Sequence, residues 1–288
     1  MADRTKTYHD VINEAVDDMT ANGYDSTERI SYWQQRIKEA AEAAMGGRHR
    51  MEELLREAMA AVYRRLIEKG QIARYHQGVG RFTLDRVRPQ LRAELDRRIM
   101  ASADLIKLNR QEAIEKTLRR FAGWSTSIPK GGAAPGQKTE AKVDLKKALK
   151  QLPFSERRCL IDQGHKLTAS LNEVLATDGG AIAGRWRSHY KQQGYNFRET
   201  HKERDYEWNK SQGREWVYLM RNSWAQQNGL VKPGPAGYYD QITSAAEEPF
   251  CRCYVTWLYT LGKLPPDMLT KKGEAALAEV QRKIRDAA

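Results

Sequence analysis

Over most of the stretch from Val11 to Phe121, apolar residues recur three and four apart and glycines interrupt the recurrence. That spacing lines one face of a helix and does not fit a pleated strand. Val11, Ile12, Ala15, Val16 and Met19 form the first stripe, stopped by Gly23. Asp25, with Glu28 three residues on, predicts the N-terminal cap of a second helix. Its face is Ile30, Trp33, Ile37, Ala40, Ala41 and Ala44, closed by Gly46-Gly47. A third stripe holds Met51, Leu54, Leu55, Ala58, Met59, Val62 and Leu66, with Gly70 as its stop. Residues 71–88 break the pattern. Ile72 to Tyr75 and Arg81 to Leu84 flank Gly78-Val79-Gly80, which predicts a short hairpin. Pro89 suits the first turn of the next helix, where its missing N–H costs nothing. Leu91, Leu95 and Ile99 continue it, and another helix runs from about Asn109 to Phe121.

The segment Ser125 to Gln137 is rich in glycine and proline and has almost nothing to bury, so it reads as a linker. Beyond it, helices are expected at about 155–176 and 181–192. Five of the seven tryptophans then fall between Trp186 and Trp257, and strand-like runs appear at 215–220 and 252–258. A last amphipathic helix, about 274–286, carries Ala275, Leu277, Val280 and Ile284. The expected class is α+β, predominantly helical. Residues 1–124 form a helical N-terminal assembly domain, 125–142 a flexible linker and 143–288 a smaller mixed α/β domain.

The chain carries a net charge of +12. Such a balance admits nucleic acid, an acidic protein or an anionic membrane as partner. Three cysteines, Cys159, Cys251 and Cys253, are too few for a disulfide framework. The N-terminus, Met1-Ala2-Asp3-Arg4-Thr5-Lys6, leads into a polar helix and not into the apolar stretch of a signal peptide. No apolar run approaches the ~20 residues that span a bilayer. The expectation is a soluble protein made and kept in a cytoplasm.

Cys251 and Cys253 are the first candidates for metal chemistry, because alternate residues of a strand share a face and thiolates suit zinc. His201, His189 and His165 are the remaining ligand types, without diagnostic spacing. Residues 185–221 interleave cations, among them Arg185, Arg187, Lys191, Arg198, Lys202 and Arg204, with Trp186, Tyr190, Tyr195, Phe197, Tyr206, Trp208, Trp216 and Tyr218. Cations neutralise phosphates and rings stack bases, so those six are the candidate nucleic-acid contacts. The competing reading makes the aromatics a small core and the cations its solvated rim. Glu199, Glu203, Asp205, Glu207 and Glu215 in the same span favour it. Cys159 follows two arginines, but His165, six residues on, does not share its helix face, and a packing role is expected. The chain has no Gly-Lys-Ser/Thr phosphate loop and no nucleophile elbow, so no catalytic residue and no cofactor is expected.

The run Pro249-Phe250-Cys251-Arg252-Cys253, preceded by a strand bearing Trp216, resembles the C-terminal signature of Mu F-like minor head proteins of tailed bacteriophages. The similarity extends from Arg185-Trp186-Arg187 through Arg198-Glu199-Thr200-His201 to Leu264–Gly273. It implies a structural virion protein in the head interior or portal region, present in the host cytoplasm during assembly. Portal, major capsid or scaffold proteins are its implied partners, with packaged double-stranded DNA as a further one and no membrane. A non-specific DNA-binding internal or ejection protein is the alternative. In the family pattern a histidine precedes the Pro-x-Cys-Arg-Cys run and a Cys-x-x-Cys lies upstream. Here Glu248 occupies the histidine's place and no cysteine lies between Cys159 and Cys251, so the two thiols are expected to be buried and metal-free.

Overall fold

The computed structural model describes residues 6–45, 48–77, 79–129, 132, 135–232, 245–246 and 248–287. The protein is predominantly helical, with a small strand region toward the C-terminus. That is the α+β class expected. No helix among the described residues is long and apolar enough to cross a membrane.

Two compact units divide the chain. Residues 1–57 and 99–160 form one, and residues 58–98 and 161–288 form the other. Each therefore draws on two separated segments, a different partition from a single boundary at 125–142. Within that expected linker, helix α4 (Arg81–Ser127) ends and helix α5 (Pro135–Asp178) begins. Residues 130, 131, 133 and 134 lie outside the described residues, and 135–142 belong to α5.

In the first unit, α1 (Tyr8–Asn22) opens with a reciprocal cap. The Thr7 hydroxyl accepts the Asp10 N–H while the Asp10 carboxylate accepts the Thr7 N–H. Two otherwise orphaned donors are satisfied in this way. The predicted stripe Val11, Ile12, Ala15, Val16 and Met19 is buried, and it packs with Ile37, Phe121 and Leu145 into one apolar cluster. The cap of α2 (Thr27–Ala44) is Ser26, not Asp25. The Ser26 hydroxyl takes the Arg29 N–H at 3.3 Å, and Asp25 pairs with the Arg29 guanidinium at 3.2 Å. In α3 (Arg48–Tyr63) Leu55 and Met59 are buried, but Leu54 is 56% exposed.

In the second unit, α3 gives way to a π-helical turn, Arg64–Glu68, and a 3-10 turn, Gln71–Tyr75. The hairpin expected at 71–88 does not form. The Gly80 carbonyl accepts the N–H groups of Thr83 and Leu84, which starts α4 at Arg81. Val87, Leu91 and Leu95, four apart, are then buried while Phe82 is exposed, a helical pattern and not an alternating one. Pro89 therefore lies inside α4 and not in its first turn.

The stretch expected as a helix at 181–192 holds instead the central strand β1 (Ala183–Arg187) of a three-stranded antiparallel sheet. Strands β2 (Tyr218–Leu219) and β3 (Tyr254–Leu258) flank it. Gly184 faces Tyr218 on one side and Trp257 on the other, and Trp186 faces Val255. The alternation of β1 gives the sheet two dissimilar faces. Trp186, Tyr218, Val255 and Trp257 pack with Cys251 and Cys253 on one. Ala183, Leu219 and Leu258 pack with Leu230, Met268 and Leu269 on the other. Helices α6 (Glu199–Glu203), α7 (Tyr206–Ser211) and α8 (Trp224–Gln227) connect the strands, and α9 (Lys271–Asp286) closes the chain. Thr270 caps α9 by accepting the Gly273 N–H, and its hydroxyl donates to the Gly229 carbonyl. Val280 and Ile284, expected on the buried stripe of this last helix, are exposed.

Candidate metal centre

The turn Glu248–Cys251 delivers both thiols to the sheet. The Cys251 N–H bonds back to the Glu248 carbonyl at 3.1 Å, and Phe250 adopts the left-handed region at φ 60°. The Asp162 carboxylate of α5 holds the Phe250 N–H at 2.5 Å. That charge-assisted bond supports a backbone conformation that costs a non-glycine residue energy. Arg252 then points outward while Cys251 and Cys253 are buried.

His201, on α6, meets them. Its Nδ1 lies 3.4 Å from Cys251 Sγ and 3.3 Å from Cys253 Sγ, and all three residues are buried. The other ring nitrogen, Nε2, stands 3.1 Å from Glu248 Oε1. Glu248 in turn pairs with Arg198 Nε at 3.0 Å, and Arg198 also donates to the Pro249 carbonyl at 2.9 Å. With its Nε2–H given to Glu248, the imidazole presents the Nδ1 lone pair to the sulfurs. Metal-binding histidines are oriented by a carboxylate in the same way.

The donor set fits a soft or borderline cation. A tetrahedral zinc with Zn–S of ~2.3 Å and Zn–N of ~2.0–2.1 Å separates N from S by about 3.5 Å. The two N···S separations, 3.3 and 3.4 Å, lie close to that edge. Three protein donors leave the fourth position of such an ion to a small exogenous ligand.

The electrostatics favour a thiolate. Cys253 hydrogen-bonds to Cys251 and pulls its pKa well below the usual thiol value, aided by the Cys253 N–H at 3.4 Å. The same bond, together with burial, keeps Cys253 protonated. A cation held by His201, Cys251 and Cys253 would replace the shared proton and let both thiols ionise. The buried Trp186 indole N–H lies against the Cys253 sulfur in the sense that favours its thiolate. Glu248 is held below the ordinary carboxylate range by the His201 bond and by Arg198.

The expectation that Cys251 and Cys253 are buried is met. The fold also brings a third candidate donor, His201, to the two thiols. Glu248 does stand in place of the family's histidine, but it braces a histidine supplied from α6. His165 and His189, equal candidates in the sequence, stand apart from this cluster.

The six cations proposed for nucleic acid are dispersed among internal partners. Arg187 pairs with Glu207 at 2.6 Å, Arg198 with Glu248 and Lys202 with Glu199 at 3.1 Å. Arg185 lies over the Tyr206 ring and donates to the Lys263 carbonyl. Arg204 lies over Trp186 and Lys191 over Tyr190. Trp216 is half-buried, with the Arg214 guanidinium 5.2 Å from its ring centre. No family model, curated protein or solved structure matches this chain.

Proposed function

We propose that this chain is a structural minor head protein of a tailed bacteriophage, of the Mu F-like kind, acting in head assembly near the portal and without catalytic activity of its own. One observation supports the reading above others. The segments that carry the resemblance are distant in sequence, yet β1, His201, the strand beside Trp216 and the Pro249–Cys253 run come together on one small sheet and one buried His–Cys–Cys cluster. A metal ion on His201, Cys251 and Cys253 acts in this reading as a clamp that ties α6 to the entry of β3. Buried donors braced by Glu248 suit holding rather than turnover. The net charge of +12 suits a place beside packaged DNA, with portal, major capsid or scaffold proteins as neighbours.

A mass-spectrometric inventory of purified proheads and mature virions from the parent phage tests the assignment. The chain is expected in both at low copy number. Its absence from both, with abundance in infected cells, overturns the structural reading in favour of a cytoplasmic DNA-binding role.

A further inference from the structure

The second unit holds a cleft of about 820 Å³ beside the sheet. Four arginines from four separate segments line it. Arg65 comes from the π-helical turn, Arg74 from the 3-10 turn, Arg221 from the turn after β2 and Arg252 from between the two cysteines. Glu173 is the one carboxylate among the described lining residues. Several other arginines of this chain meet carboxylates, as Arg86 does with Asp178, Arg110 with Glu156 and Arg187 with Glu207. Among the described residues, none of the four cleft arginines stands in such a pair.

Like charges gathered around a low-dielectric cleft repel one another and raise the local concentration of anions. Arg74 is also fixed in place. Its guanidinium bonds to the Tyr75 hydroxyl and lies 4.5 Å from that ring's centre. A planar fork held in advance loses little entropy when it binds an oxyanion bidentately. The π-helical turn that carries Arg65 is a rare backbone feature concentrated at functional sites.

The wall of the cleft is aromatic. The Tyr75 and Tyr254 rings meet edge to face at 5.4 Å, and His189 lies 5.9 Å from Tyr254. Guanidinium groups beside ring faces serve a ligand that carries both a phosphate and a flat base. The volume suits a ligand of nucleotide size and excludes a duplex.

We propose that this cleft binds the phosphoryl group and base of a nucleotide, free or as part of a single strand, through Arg65, Arg74, Arg221 and Arg252. It is a different surface from the six cations expected from the sequence. The proposal goes beyond the head-protein reading and does not need it.

Fluorescence anisotropy on the purified full-length chain tests it, with a labelled short oligothymidylate and a labelled nucleoside triphosphate as separate probes. R65A/R74A/R221A is compared with R282A/K283A/R285A, which removes the same charge from the exposed face of α9. The cleft variant is expected to bind at least roughly tenfold more weakly, since each lost contact is a charge-assisted hydrogen bond. For the strand, its log–log salt dependence should flatten by roughly 0.7 per phosphate contact removed. The α9 variant should stay within about twofold of wild type, because a distant surface charge is screened. The charge-retaining R65K/R74K/R221K should fall between alanine and wild type, and it serves as readout if the alanine variant unfolds. Arginine-dependent binding of the triphosphate alone identifies a free nucleotide as the ligand, and binding of both probes identifies a strand. Failure of both probes to bind at low salt, or equal losses in the two alanine variants, overturns the proposal. Particles are not used in this assay, so its failure and a failure of the head-protein assignment are separately visible.

Discussion

Acid should weaken the second unit through one histidine. His76 is 1% exposed, with Nδ1 2.6 Å from the Tyr259 hydroxyl and Nε2 2.9 Å from Asn172 Oδ1. The Asn172 amide nitrogen donates to the Thr168 carbonyl, which turns Oδ1 toward the ring. Nε2 therefore carries the proton, and Nδ1 accepts from Tyr259. Both bonds suit the neutral imidazole, and the second must reverse when the ring is charged. Burial pushes the His76 pKa down from 6.5 to about 4, with the Asn172 bond opposing. The unfolded chain holds the proton near the ordinary value, so between pH 6.5 and 4 it binds more protons than the folded chain. Stability from this residue is complete above about pH 6.5 and falls as pH drops through that window, by about 3 kcal/mol in all. Urea unfolding of wild type and H76Q at pH 7 and pH 4 isolates the effect, because the other titrating groups cancel in the difference. Wild type should exceed H76Q at pH 7, and the gap should shrink by about 3 kcal/mol at pH 4. A gap that is the same at both pH values refutes the reasoning.

Native protein purified without chelator should carry about one zinc ion per chain, lost in C251S/C253S and in H201A. Elemental analysis checks this, and a metal-free wild type rules out the clamp. E248Q should retain the site with affinity lowered about 10- to 100-fold, measured by competition with a chromophoric chelator, because only the orienting carboxylate is gone. Chelation should destabilise wild type by about 2.7 kcal/mol if free metal had been at a hundredfold excess over Kd, and should leave C251S/C253S unmoved in the same melt. G273A should cost about 1–3 kcal/mol by urea unfolding, because a Cβ there runs into the Leu230 carbonyl, which already accepts the Thr270 N–H.

The helices were legible because their stripes are local. Val11 to Met19 and Leu91 to Ile99 declare themselves at three- and four-residue spacing and are buried. Misreadings arose where tertiary partners decide. Ala183–Arg187 is a strand because β2 and β3 arrive on both sides, and five residues are too few to announce an alternation against helical neighbours. The Gly78-Val79-Gly80 punctuation was read as a hairpin turn, whereas the Gly80 carbonyl starts a helix. Both thiols of the centre were visible in Cys251-x-Cys253. Its histidine was not, because a separation of fifty residues matches no fixed ligand spacing and three histidines were equal on paper. Glu248 pointed the wrong way. Its position in the motif suggested a lost ligand, and only the fold reveals that it supports one. The cleft arginines were illegible for a similar reason, since no two of them share a segment.

The order of the sheet carries a consequence for the timing of synthesis. β1 leaves the ribosome first but is the middle strand, and both of its hydrogen-bonded neighbours are made later. Until Leu258 has emerged, one edge of β1 has no partner within the chain, and an open edge invites pairing with other chains. Cys251 and Cys253 lead directly into the strand that closes that edge, so the last neighbour and the two thiols arrive together. A metal ion bound there would find its full set of donors only once the strand that closes the vulnerable edge has been made.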